Sequence, residues 1–276
     1  MTALPSATTA ASSRPAPRRP LLNPTVLRLE LRRLVRNRRV LVFTFVFPAV
    51  MLVFIGSQIT GQDDVLGPHA VANVGAYVMA SMAVYGAVMA STSAGASVSI
   101  ERAAGWSRQL RLTPARPVSQ VLVKMLVAVV LGACATLVTF VVGAATGTAH
   151  LTRLAPWWQM GVVIVVGSLV FAAFGLFMGY LLPSDNAMQL LGPLLAVLAI
   201  LGGLFSGPLP TDSLYGQVAQ YTPIYGLSRL AHWPLTLTTT GTHDAFHVSW
   251  VLDLVVWGGL FVAGAVWRFR RDTDRV

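Results

Sequence analysis

Six apolar stretches, at about 40–58, 71–98, 118–146, 157–182, 188–207 and 248–267, divide this sequence of 276 residues. Each reaches, within boundary error, the roughly 20 residues that a helix needs to cross the hydrocarbon of a bilayer. Backbone polar groups in hydrocarbon must be satisfied within the segment, so such runs fold as helices. The expected fold is an all-α membrane protein. It has six transmembrane helices preceded by an amphipathic interfacial helix, and both N- and C-termini are cytoplasmic. Only 11% of the residues are charged, against about 25% in soluble domains. That excludes a soluble globular enzyme and a disordered chain.

The formal net charge of +10 raises the question of nucleic acid. The placement of the charge answers it. Of 20 Lys and Arg residues, nine precede residue 40, five lie between Arg102 and Lys124, four follow Trp267, and Arg153 and Arg229 stand apart. Basic residues gathered on one side of apolar spans are the positive-inside pattern, not a nucleic-acid face. With the N-terminus inside, that side carries 18 of the 20.

Residues 1–22 are mostly small, with Pro and Arg, and read as a disordered cytoplasmic tail. The first apolar span follows nine arginines, so no secretory leader is expected. Residues 23–39 form the amphipathic helix, opened by Asn23-Pro24. Leu27, Leu31, Leu34 and Val35 make its apolar row, and Arg28, Arg32 and Arg36 the opposite one, a pattern suited to an anionic membrane surface. Residues 40–268 are the six-helix domain, and 269–276 a cytoplasmic tail. Loops 59–70, 147–156 and 208–247 fall outside.

The spans are patterned. Ala76, Ala80, Ala83, Ala87, Ala90 and Ala94 line one side of the second, and Gly175 and Gly179 are spaced by four in the fourth. Small residues let helices approach closely, and packing within the bundle is the expected use. Met79, Met82, Tyr85 and Met89 project beside the alanine seam, as core packing or as a pathway lining for a greasy compound. Cys134, the sole cysteine, is expected to be a small buried hydrophobe. Lys124, the sole lysine, lies between Val123 and Met125, so there is no P-loop ATPase site.

Catalytic patterns are thin. His243, Asp244 and His247 read H-D-x-x-H. On a helix the two histidines would share a face and could take a metal, with His232 as a third ligand. They carry the reading of a membrane-embedded metal enzyme. Asp253 lies about one turn inside the sixth span, as an ion site or as a structural partner of Arg229. It carries the reading of an ATP-independent ion carrier. No Gly-x-Ser-x-Gly nucleophile elbow occurs.

The richest segment is the loop after the second span, Glu101-Arg102-Ala103-Ala104-Gly105-Trp106-Ser107-Arg108-Gln109-Leu110-Arg111-Leu112-Thr113-Pro114. Trp106 and Leu110 share a helical face, and Pro114 and Pro117 stop the helix. The knob so formed either docks a partner or rests its Trp at the membrane surface.

At this point the sequence resembles the permease subunits of the ABC type-2 transporters. Glu101, Arg102, Gly105, Leu110, Thr113-Pro114 and Lys124 match the family pattern in order. The wording from Gly105 to Pro114, with Trp106 and Arg108, looks most like actinobacterial drug-export permeases. Pro208, Pro210, Pro223, Tyr225 and Arg229 match the Pro-rich return region at the outer side. Ala103 stands where the family often has an acid, and Arg108 where Glu is frequent, so this helix is more basic than usual.

The resemblance implies a half-transporter without an ATPase site of its own. Helix 100–112 would be the coupling helix, and 208–247 a re-entrant outer region. Two ATPase subunits would bind ATP and Mg, and a second copy or paralogue of the permease would complete the complex. No cofactor is expected on this chain itself. The cargo would be hydrophobic or amphipathic, with Phe43, Phe47, Met79, Tyr85, Met89 and Phe205 as candidate pathway residues.

Overall fold

The computed structural model describes residues 24–58, 66, 71–103, 117–182, 184–207, 213–238 and 240–273. Among these residues the protein is helical, with an antiparallel bridge between Ala72 and Leu151. The expected tail 1–22 lies outside the described residues.

Helix α1 spans Pro24–Val35. Pro24 occupies the first helical position, where a missing N–H costs nothing. Leu27 and Leu31 pack on the apolar cluster that holds Val123 and Val127, while Arg28, Arg32 and Arg36 are exposed. Helix α2, Arg38–Leu41, runs through a π turn, Val42–Val46, into α3, Phe47–Gln58. The π turn has a local cause. Pro48 has no N–H to offer the Thr44 carbonyl, and the Phe47 N–H reaches back to Val42 O.

Helix α4, Val74–Ala96, is the axis of the bundle. Asn73 caps it: Oδ1 accepts from the Ala76 N–H at 2.9 Å and from the His150 N–H at 2.9 Å, while Nδ2 donates to Thr148 O at 2.9 Å. All six alanines of the seam are buried. Helix α5, Val98–Ala103, continues beyond a turn at Ser97. Helix α6 spans Pro117–Ala145. Helices α7, Ala155–Gly167, and α8, Leu169–Leu181, meet at Ser168. Then come α9, Ser184–Leu201, α10, Leu214–Ala219, α11, Tyr225–His232, and α12, Val248–Thr273.

Helices α6 and α8 flank α4, α12 packs on α8, and α11 is lodged among α4, α7 and α12. The α4–α8 approach is at backbone distance. A Cβ on Gly95 would fall 2.1 Å from Ala172 O, and one on Gly175 would fall 2.1 Å from Thr92 O. The small residues of both helices therefore pack against each other within one chain.

Among the described residues, four helical segments are long and apolar enough to cross a membrane: Val74–Ala103, Val121–Ala145, Ala155–Leu181 and Val248–Arg271. The first and fifth apolar stretches form shorter apolar helices, Val42–Gln58 and Gln189–Leu201. The fifth was expected to continue to residue 207. It stops at Leu201 because Gly203, at φ 72°, turns the chain. Leu204 is thereby buried, and a Cβ on Gly202 would strike the Ile224 side chain.

Cys134 departs from expectation: it is exposed. Helix α6 turns Val127, Ala128, Leu131 and Ala135 to the core, which leaves position 134 on the outward face. An apolar environment there comes from lipid rather than from protein.

Candidate functional site

Lys124 sits near the start of α6 and is 6% exposed. A buried ammonium needs partners, and it has three. Its Nζ lies 2.6 Å from Glu101 Oε1 and 3.9 Å from Glu30 Oε1, and it donates to Ser97 Oγ at 2.8 Å. The Ser97 hydroxyl in turn donates to Ala94 O at 2.8 Å. Arg33 Nη1 approaches Glu101 Oε1 at 3.4 Å from the exposed side. Burial raises the Glu30 carboxyl above the usual carboxylate range; Lys124 opposes the shift and neighbouring Glu101 adds to it.

Three parts of the chain meet here: Glu30 and Arg33 from α1, Ser97 and Glu101 from the end of α4 and from α5, and Lys124 from α6. Arg102 extends the cluster to a fourth. Its Nη1 donates to Tyr180 O at 3.0 Å and to Gly179 O at 3.4 Å, and its guanidinium lies 5.4 Å from the Tyr180 ring. Those carbonyls belong to the last turn of α8, where no intrahelical donor remains. A cation beside a helix C-terminus is also favoured by the helix dipole.

Glu101, Arg102 and Lys124 therefore come together as a structural unit at the base of the segment 104–116. Gly105, Trp106, Arg108, Leu110, Thr113 and Pro114 lie outside the described residues. Sequence reading missed Glu30, Arg33 and Ser97. One signal was present: Glu30 is the sole acid in a helix with four arginines on or beside it.

At the opposite end of the bundle, α11 carries the matched return-region residues. Tyr225 is 8% exposed, with Arg229 held 5.3 Å from its ring. Pro223 lies in the turn before α11, and Pro208 and Pro210 lie outside the described residues. Asp253 of α12 holds this short helix at its start: Oδ2 accepts from the Gly226 N–H at 2.9 Å, and the Trp257 side chain is a further partner. Asp253 was expected as a structural partner of Arg229; the contact observed is instead with the Gly226 amide, which donates to it.

His232 ends α11 in the core. Its ring stacks on Tyr77 at 3.8 Å, Nε2 lies 3.0 Å from Ser81 Oγ, and Nδ1 lies 2.6 Å from Ser228 O. With its proton on Nδ1, the ring donates to Ser228 O and accepts from the Ser81 hydroxyl. Burial lowers its pKa to about 4, so it is neutral. It is a packed core group, remote from the role of third metal ligand.

His243 and His247 do not share a helical face, because α12 begins only at Val248. His243 stacks on Trp233 at 4.4 Å and His247 tilts onto Trp250 at 5.1 Å. The Trp233 indole fixes the loop by donating to Asp244 O at 3.0 Å. Among the described residues no three of His, Cys, Asp and Glu gather as a metal site.

Of the candidate pathway residues, four form one row. Phe43 and Phe47 are 6.2 Å apart, Phe47 and Tyr85 5.6 Å, and Tyr85 and Phe205 5.7 Å between ring centroids. The row crosses from the π turn over α3 and α4 to the bend after α9, and its ends, Phe43 and Phe205, are exposed. Met79 stands apart from the row: it is fully buried, close enough to α6 that a Cβ on Gly143 would meet its sulfur. Met89 is also buried.

The family described as ABC-2 type transporter matches residues 24–221. The chain is also similar to "Putative transport permease YvfS" of Bacillus subtilis (strain 168), with 25% identity over 199 residues, 71% of this chain and 78% of that protein. The matched region holds α1, the whole Lys124 cluster and the aromatic row. With its several apolar helices, the protein is a multi-pass protein of the cell membrane. This chain belongs to the ABC-2 type transporter family.

Proposed function

We propose that this chain is the membrane subunit of an ATP-driven exporter, moving a hydrophobic or amphipathic compound. Two separate ATPase subunits hold ATP and Mg, and a second permease, a copy or a paralogue, completes the complex. The Lys124 cluster lies on the cytoplasmic side, and the first and fifth apolar helices complete six spans. At 1.5 Å per residue, Val42–Gln58 reaches about 26 Å, close to the hydrocarbon thickness of about 30 Å.

The observation that carries the reading is the Lys124 cluster at the root of segment 104–116. ATP binding closes the ATPase pair against helix 100–112. Glu101 and Arg102 stand at the start of that helix, and their contacts reach α1, α6 and α8. Separating a buried ion pair is costly, so a push on Glu101 displaces these helices together. The force comes from the different affinities of ATP for the open and closed ATPase states. The aromatic row from Phe43 to Phe205 offers the cargo an apolar wall.

A mild-detergent pull-down of the tagged protein from its host, read by native mass spectrometry, tests the assembly. The expected complex contains one ATPase subunit per permease, and its mass separates homodimer from heterodimer. Permease free of ATPase in several detergents would refute the reading. Trp106→Ala with Leu110→Ala is expected to abolish stimulated ATPase activity and transport; retention of both would refute the coupling role.

A further inference from the structure

We propose that the groove between α6 and α7 is a binding site for one acyl chain of a phospholipid. The lipid belongs to the leaflet away from the Lys124 cluster. The inference requires only that these helices cross the membrane, and stands apart from the export reading.

The groove is open along the protein surface and has a volume of about 720 Å³. Leu137 and Phe140 of α6 form one wall, and Trp158, Val162 and Val165 of α7 the other. Gly161 makes the floor: a Cβ there would meet only a Phe140 ring carbon, at 3.7 Å. The one hydroxyl along the groove, Thr136, is already bonded to Gly132 O at 2.9 Å and leaves no polar demand inside.

Size, polarity and charge name the occupant. From Leu154 to Val166 the groove follows α7 for about 18 Å at 1.5 Å per residue. One leaflet of hydrocarbon is about 15 Å deep, half of the bilayer core. A single acyl chain fits that length, whereas a partner helix, roughly 10 Å across, would need small residues on the rims. The large lining residues that are exposed here are Leu137, Leu154, Trp158, Val162 and Val166. At the interfacial end stand Trp157 and Trp158, residues that favour the headgroup level. Exposed Arg153 precedes Leu154 of the groove in sequence, and a cation at this end favours an anionic headgroup.

The test uses purified, delipidated full-length protein in mild detergent, titrated with dioleoyl phosphatidylglycerol or dioleoyl phosphatidylcholine and read by native mass spectrometry. Wild type is expected to retain one lipid. Gly161→Leu and Val165→Trp, which fill the groove from its floor and its wall, are expected to weaken retention about tenfold. Val255→Trp, on the exposed face of α12, is expected to leave it unchanged. Arg153→Gln is expected to remove the preference for phosphatidylglycerol. Unchanged retention in both groove variants, or equal loss in Val255→Trp, would overturn the site. So would dissociation of a permease dimer in the groove variants with lipid retention intact. No effect of Arg153→Gln would overturn the headgroup contact.

Discussion

Lys124 Nζ stands 2.6 Å from Glu101 Oε1 across the space between α5 and α6. Both side chains are nearly removed from solvent. Removing one partner of such a pair costs about 3–5 kcal/mol, because the other charge stays buried. Lys124→Met is therefore expected to lower thermal stability in detergent by that order. Lys124→Met combined with Glu101→Leu is expected to recover most of the loss, since an apolar pair needs no partner. If the pair transmits force, the double variant regains stability but not ATP-dependent transport. A double variant that recovers both would reduce the pair to a structural element.

Close packing of α4 on α8 gives a second prediction. Gly95→Ala and Gly175→Ala each push a methyl group onto a carbonyl oxygen at 2.1 Å. A backbone atom cannot rotate away, so the helices must separate, at a cost of about 1–3 kcal/mol each. Gly259 of α12 has nothing within 4 Å. Gly259→Ala is expected to be neutral, or to gain up to about 1 kcal/mol from helix propensity. Melting temperatures in one detergent, followed by tryptophan fluorescence, rank the three.

These contacts also mark how far the sequence could be read. The alanine seam of α4 and the Gly175–Gly179 pair announced close helix packing, since spacing alone puts small residues on one face. The amphipathic pattern placed α1, and clustered arginines separated one end of the bundle from the other. Spacing could not show that Glu30 turns inward to Lys124, because that contact joins residues 94 positions apart in sequence. Nor could it show that Gly203 would fold the fifth apolar stretch back on Ile224. H-D-x-x-H suggested a metal only if helical, and helix α12 starts at Val248, after both histidines. Hydrophobicity marked Cys134 as buried, although in a membrane the apolar surroundings include lipid.

Asp253 should tolerate loss of charge better than loss of its oxygen. Its Oδ2 accepts the Gly226 N–H at 2.9 Å, and Asn keeps an oxygen there. Asp253→Asn is expected to cost less than about 1 kcal/mol, and Asp253→Leu about 1–3 kcal/mol through the unsatisfied amide. Transport should persist in Asp253→Asn. A folded Asp253→Asn protein without transport would show that the charge itself is used, as an ion-coupled carrier requires.

His232 predicts a pH dependence with a defined sign. Burial lowers its folded-state pKa to about 4, against about 6.5 when it is exposed on unfolding. Between these values the unfolded chain binds the proton and the folded chain does not, so acid favours unfolding. The contribution is constant above pH 6.5, is lost progressively down to about pH 4, and is flat below, with a total of about 3 kcal/mol. Glu30 works in the opposite sense. Its folded pKa is raised, so its contribution is full in acid and declines as pH rises through that value. The difference between wild type and His232→Gln isolates the histidine, because Glu30 is common to both. Melting temperatures of the two proteins are expected to converge as pH falls from 6.5 to 4. A gap that stays constant over that range would mean that His232 is not protected from protonation by the core.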